Sequence, residues 1–270
     1  MINDRIALSI ENGIANVVLS RPEKMNALDN KMFSALIEAG EQIAADDSVR
    51  VAVISAQGKA FCAGLDMQNF ADMADLSTEQ GTLSNKLSER THGIANDVQY
   101  AVWIWHELAI PVIAAVHGVA VGGGFQLALA ADMRYVAPDT RFSIMEMKWG
   151  LVPDMSSTQL MRHLASEDII RELTYTARLF DAQEAKEAGF VTKIVDNPHE
   201  YAMQVARQIA TRNPDAIQAS KRILNAANYV STAEGLLMES KEQDAIIGSP
   251  NQIEAVMAEL QKRAPDFGQS

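Results

Sequence analysis

Two short stretches carry the residues best suited to chemistry. Gly58-Lys59-Ala60-Phe61-Cys62-Ala63-Gly64-Leu65-Asp66 and His117-Gly118-Val119-Ala120-Val121-Gly122-Gly123-Gly124 each run from an apolar strand into small residues. Small residues let backbone N–H groups approach a ligand closely. Two such stretches can aim two N–H groups at one oxygen, which is what an oxyanion hole needs to stabilise charge developing on a carbonyl. Either stretch alone is only a tight turn, so the pair carries the signal. Glu146 lies in the apolar setting Phe142-Ser143-Ile144-Met145-Glu146-Met147-Lys148-Trp149-Gly150. Such neighbours should raise its pKa and suit it to acid–base work near neutral pH. The competing role is an ion pair with Lys148 or Arg141. Cys62 precedes the hole and faces no His base, which argues against a thiol nucleophile. The five His residues show no metal-ligand spacing.

The whole chain must position these groups. Its 270 residues fit one large domain or one domain plus an appendage. A hydrophobic content of 48% is enough for a sizeable core. The net charge of −12 and a pI of about 4.9 argue against a nucleic-acid partner and against docking to an anionic membrane. An anionic small ligand needs only a local basic patch. The single cysteine excludes an intramolecular disulfide framework and a Cys-rich zinc site. There is no apolar run after Met1-Ile2-Asn3-Asp4-Arg5, no stretch of about 18–20 apolar residues, and no peroxisomal address at Phe267-Gly268-Gln269-Ser270. The expectation is a soluble, cytoplasmic protein.

Ile6–Ile10 and Ile14–Leu19 read as a hairpin turning at Asn12-Gly13. Asp29 is placed to cap a helix running to about Ala45, with Met32, Leu36, Ala39 and Ile43 on one face. Buried strands are expected at Val49–Ser55 and Val112–Val116, a short helix at Gly124–Ala131, and further strands at Met133–Ala137 and Val191–Val195. This alternation suggests an α/β core. From about Pro198 the pattern is helical, with starts near His199, Pro214, Thr232 and Pro250, the prolines suiting a first turn. We therefore divide the chain into a core, 1–198, and a helical C-terminal region, 199–270, expected to pack on the core or on a neighbouring subunit.

Assembled in order, these residues resemble the crotonase superfamily, the enoyl-CoA hydratase and isomerase group. The resemblance rests on Arg21-Pro22 through Asn26-Ala27-Leu28, on Ala60 to Asp66, and on Pro111 to Gly124. It continues through Ala131-Asp132-Met133-Arg134-Tyr135 and through Phe142 to Pro153 followed by Thr158-Gln159. It spans almost the whole chain. It implies a spiral of ββα repeats with a helical C-terminal oligomerisation region, a homotrimer or hexamer, and acyl-CoA thioesters as substrates in fatty acid metabolism. It implies no metal, and no cofactor beyond the CoA carried by the substrate.

The resemblance also implies roles. The backbone N–H groups of Leu65 and Gly123 would form the oxyanion hole, and Gly122 would be a substrate-binding residue. Glu146 matches the acid/base Glu of hydratases. Gln126 departs from the pattern, since typical hydratases carry a second Glu there, and Gln cannot take a proton. Its amide is left to place substrate or water, or to satisfy Glu146. Asp154 stands where hydratases usually have Gly. The dienoyl-CoA isomerase branch has an Asp there, working with the Glu as a proton-transferring pair. His117, Asp132 to Tyr135 and the long insertion between Leu65 and Pro111 also look like that branch, although it has an Asp at the position of Gln126. As an alternative, Asp154 caps a helix ahead of Met155-Ser156-Ser157-Thr158.

For CoA, the resemblance implies backbone contacts around Ala63, Asp66 and Met67, and a loop carrying Arg21, Lys24 and Ala27 near the nucleotide. Arg21 and Lys24 are either phosphate contacts or solvated loop charges. Gln68 and Gly268 stand where Lys is common, with Lys262 and Arg263 as nearby substitutes. Met67, Phe70, Met73, Leu76, Leu83, Leu87, Trp103, Ile104 and Trp105 read as helices walling an acyl pocket or as core. The expected activity is a double-bond shift in enoyl- or dienoyl-CoA. The alternatives are a hydratase using Glu146 alone, a hydrolase or lyase on another acyl-CoA, and a non-catalytic acyl-CoA-binding protein.

Overall fold

A computed structural model describes residues 1–69 and 87–268. Strands β1 (Ile6–Glu11) and β2 (Ile14–Leu19) form the antiparallel hairpin, closed by Asn12 and Gly13 at φ of 53° and 75°. Positive φ at both turn positions matches the twist of the flanking strands. Strands β3 (Val51–Ala56), β4 (Val112–Val116), β6 (Met133–Val136) and β9 (Lys193–Ile194) extend the sheet in parallel, in the order β1-β2-β3-β4-β6-β9. A second sheet joins β5 (Val119–Val121), β7 (Arg141–Ser143) and β8 (Phe180–Asp181).

The central strands β3 and β4 are almost wholly apolar, with buried Ser55 the exception, because both faces of the sheet are covered. Ala52, Ile54, Val112 and Ala114 face the larger core, whereas Val51, Val53, Ile113 and Ala115 face a smaller one. The larger core is roofed by α1 (Asn30–Ala44), which packs on α2 (Asp97–Glu107). Asp29 caps α1 through the N–H of Met32 at 2.9 Å, and Met32, Leu36, Ala39 and Ile43 are buried as the periodicity predicts. Helix α3 (Gly123–Leu129) is buried along its whole length. It starts one residue earlier than its sequence suggests.

Three expectations shift. Strand β3 begins at Val51, because the N–H of Val49 is spent on Asp46 O in the preceding turn. The last strand is only Lys193–Ile194. The short helix after Asp154, α4 (Ser157–Met161), has Ser156 at its N-cap at φ 74° with no side-chain cap. Asp154 is therefore not the cap, since it lies two residues outside that position.

Helices α5 (Glu167–Thr176) and α6 (Ala182–Ala188) precede the C-terminal helices α7 (Pro198–Ala210), α8 (Pro214–Ala226), α9 (Thr232–Ile246) and α10 (Pro250–Gln261). Helix α7 packs across β3, β4 and β6, with Ala202 and Ala206 in the smaller core. The boundary at 198/199 thus falls in the first turn of a helix that closes the sheet. Helix α8 is held by buried Lys221, whose Nζ donates to Ile110 O and to Asp132 Oδ2, each at 2.9 Å. Leu224, Leu236 and Leu260 of α8, α9 and α10 are exposed.

Candidate active site

The segment Ala60–Asp66 is held from both sides. On one side Leu28 N–H donates to Gly64 O at 2.8 Å and Asp66 N–H to Leu28 O at 3.0 Å. On the other, Cys62 pairs with β5 through Val119 O at 3.0 Å and the Val121 N–H at 3.1 Å. Successive N–H groups of an extended segment point to opposite sides, so the N–H of Leu65 is turned away from Leu28. Gly123 opens α3, and the first N–H groups of a helix have no intrahelical partner. Among the described residues, neither N–H donates a hydrogen bond. A Cβ on Gly64 would lie 2.8 Å from Val121 O and 3.7 Å from Gly123 N, so the two backbone segments are in contact.

Gly122 joins β5 to α3 at φ 53° and ψ −126°, a conformation that strains any other residue. A Cβ there would also lie 3.4 Å from Glu146 Oε1. Glu146 begins a 3-10 turn, Glu146–Trp149, and is only 8% exposed. Its Oε1 accepts from Gln126 Nε2 at 2.7 Å, whereas Oε2 is buried with no hydrogen-bond partner among the described residues. It makes no ion pair with Lys148 or Arg141 among the described residues. Burial pushes its pKa up, Gln126's donation opposes this, and the charge of Asp154 adds to the rise. Burial likewise raises the pKa of Asp154.

These groups meet in a cavity of about 520 Å³. Leu65, Gly122, Gly123, Gln126, Glu146 and Asp154 all line it, as do Ala63 and Met67. The sequence placed them on four separate segments. Apart from Asn69 the remaining side chains of the wall are apolar, with Phe33, Val98, Trp149 and Val152 among them. Sequence reasoning missed Phe33 and Asn69. Phe33 lies off the apolar stripe of α1, and a large aromatic in that position was the available signal. Asn69 carries no motif that would have marked it.

Other candidates lie elsewhere. Arg21 Nη1 donates to Asp66 Oδ2 at 2.5 Å and to Ala27 O at 3.0 Å, so its guanidinium is held inside the loop. Ala27 is buried, and Lys24 is exposed on the turn. Neither these two nor Asp66 lines the cavity. Arg263 is paired with Glu254. Trp105 is fully buried in the core and Ile104 nearly so, whereas Leu87 lines the cavity. Phe70, Met73, Leu76 and Leu83 lie outside the described residues. His117 Nε2 bonds Gly58 O at 3.1 Å and serves the strand connection. Burial pushes the Cys62 thiol up to about 12, which keeps it protonated near neutral pH. No cluster of three or more His, Cys, Asp or Glu suited to a metal occurs among the described residues.

The sequence from residue 9 to residue 270 matches the family described as Enoyl-CoA hydratase/isomerase. The chain belongs to the enoyl-CoA hydratase/isomerase family. Among its relatives, the peroxisomal Delta(3,5)-Delta(2,4)-dienoyl-CoA isomerase of Arabidopsis thaliana is 30% identical over 97% of this chain and 95% of that protein. The probable mitochondrial enoyl-CoA hydratase 2 of the same plant is 32% identical, over 94% of this chain and 81% of its own length. The crystal structure of enoyl-CoA hydratase from Bacillus anthracis superposes with a TM-score of 0.87 at 27% identity, covering 98% of this chain and all of that one. The fold is therefore crotonase-like, and the family similarity includes the dienoyl-CoA isomerase branch. Family members act on acyl-CoA thioesters. No helix among the described residues is long and apolar enough to cross a membrane.

Proposed function

We propose that this family member shifts double bonds in enoyl- or dienoyl-CoA. One observation carries the reading: Glu146 and Asp154, both with raised pKa values, line one cavity with the N–H groups of Leu65 and Gly123, and an amide stands beside Glu146 in place of a second carboxylate. Mutual repulsion and burial favour a pair with one ionised and one protonated member. The ionised carboxylate takes a proton from the carbon alpha to the thioester. The C–H electron pair moves into the thioester, and charge on its oxygen is stabilised by the two N–H groups. The protonated carboxyl then delivers its proton to a carbon farther along the chain, so one proton leaves, one arrives and the double bonds move. No cofactor enters this chemistry, because CoA is part of the substrate.

A hydratase reading is favoured by a different observation. Oε2 of Glu146 has no partner among the described residues, and a water held there would be within its reach. Turnover of matched 2-enoyl-, 3-enoyl- and 3,5-dienoyl-CoA separates the two. Isomer formation with negligible hydration is the expected result. Efficient hydration that survives Asp154→Asn and is lost in Glu146→Gln makes the protein a one-carboxylate hydratase. CoA binding without turnover across the panel makes it a binding protein.

The cavity also bears on the acyl group. Its charged lining residues among those described are Glu146 and Asp154, both acids. An acyl carboxylate would enter there without a counter-ion, and burying a polar group uncompensated costs about 3 kcal/mol or more. A CoA thioester ending in a carboxylate is therefore expected to show kcat/KM about 100-fold below its methyl-ended analogue of equal length. Equal values for the two would refute an uncharged acyl specificity.

A further inference from the structure

Gln126 is 1% exposed and uses both ends of its amide. Its Oε1 accepts from the backbone N–H of Met155 at 2.8 Å and of Ser157 at 3.4 Å. Backbone N–H groups can only donate, so these two contacts fix which end of the amide is oxygen. The NH2 end is thereby forced toward Glu146, and Nε2 donates to Oε1 at 2.7 Å. One buried side chain thus links the carboxyl of Glu146 to the peptide segment that follows Asp154. Glutamine suits this place physically. An ionised glutamate would have no donor for Glu146 and would add a second buried charge, and a leucine would leave two N–H groups without an acceptor.

We propose that Gln126 is a positioning residue that occupies Oε1 of Glu146, reserves Oε2 for proton transfer, and holds Glu146 and Asp154 in mutual register through the Met155 peptide. The inference rests on Glu146 being the proton-transferring group. Donation to Oε1 favours the ionised carboxylate, so Gln126 also sets the pH at which Glu146 becomes a base. Of the titratable groups packed around Glu146, Asp154 acts on its ionisation. Lys148 on the same turn is exposed. Helix α5 packs on that turn and carries Glu167 and Arg171, paired with each other, Glu172, paired with Arg178, and exposed Asp168.

The test uses Gln126→Met and Gln126→Glu. Gln126→Met removes the donor to Glu146, and Gln126→Glu removes it once its own carboxyl is ionised while keeping an acceptor for the Met155 and Ser157 N–H groups, which protects folding. In each variant the acid limb of the kcat/KM–pH profile is expected to move up by about 1–2 pH units. It is read on whichever reaction the wild type catalyses. Gln126→Met is also expected to cost less in an Asp154→Asn background than alone, because the two residues act as a unit. An acid limb that stays in place in both variants overturns the proposal, even if thermal stability falls. Additive effects of Gln126→Met and Asp154→Asn overturn the link to Asp154. The 13C resonance of the Glu146 carboxyl reads the same shift without turnover, so failure of this proposal is distinguishable from absence of isomerase activity.

Discussion

Glu146→Gln is expected to lower kcat by about 10²–10⁴-fold, the usual contribution of a positioned general acid or base, while leaving the fold intact. The carboxyl it removes is buried and has a raised pKa. A folded-state pKa above the unfolded value means that the folded state binds the proton more tightly. The stability this group contributes is greatest below its unfolded pKa and is lost as pH rises through its folded pKa. Relative to the wild type, the variant should therefore gain stability as pH rises from the unfolded toward the folded pKa of Glu146, and the difference levels off above it. Such a trade of stability for activity is common where a buried ionisable group serves a reaction. The amide that replaces the carboxyl can still accept from Gln126 Nε2, so the local hydrogen bond survives. Steady-state kinetics on the dienoyl-CoA and enoyl-CoA panel, with thermal unfolding at pH 6 and 8, checks both halves. Wild-type turnover by the variant would remove Glu146 from the mechanism, and a stability loss that grows with pH would contradict its buried, raised-pKa state.

Gly124→Ala is the second change of large effect, and it acts on geometry. A Cβ at Gly124 would lie 2.3 Å from Cys62 O and 2.7 Å from Cys62 Cβ. The oxygen is backbone, held in a strand bridge to β5, and it cannot swing aside as a side-chain tip would. Helix α3 must therefore back away from the Cys62 segment. Gly123 and Gln126 ride on α3, whereas Leu65 rides on the Cys62 segment. The two N–H groups would separate, and a displacement on the order of 1 Å can cost about 10²-fold in rate. We expect kcat/KM to fall by about that factor, with a stability loss of roughly 1–3 kcal/mol for the overpacking. Kinetics within about threefold of wild type in a folded variant would mean that the approach of these two segments is not required.

Local chemistry made much of the architecture legible. Asp29 capping α1, Asn12-Gly13 closing the hairpin, and prolines opening α7, α8 and α10 are short-range signals that act wherever the chain goes. The alternation of apolar strands and periodic helices gave the α/β class, and the ordered motifs gave the family. Boundaries were less legible. Val49 is apolar enough for a strand, and only the turn that takes its N–H excludes it from β3. Asp154 has the residue type of a cap, and only the left-handed conformation of Ser156 shows that the helix starts beyond it.

The sequence by itself determined which residue types are present and on which elements they ride: a carboxylate in an apolar turn, an Asp after Val152-Pro153, a Gln on a glycine-led helix, and two strands ending in small residues. The tertiary structure decided their partners. It turned the amide of Gln126 toward Glu146, committed Arg21 to Asp66, and set the smaller core under α7. Those outcomes could not be read along the chain because a side chain's hydrogen bond is chosen by whatever donor or acceptor the fold brings within about 3 Å. That neighbour is set by packing between distant segments. Periodicity and caps report only on neighbours a few residues away, whereas the contact that brings the Gln126 donor to Glu146 joins two elements that meet only when the sheet and α3 close on each other.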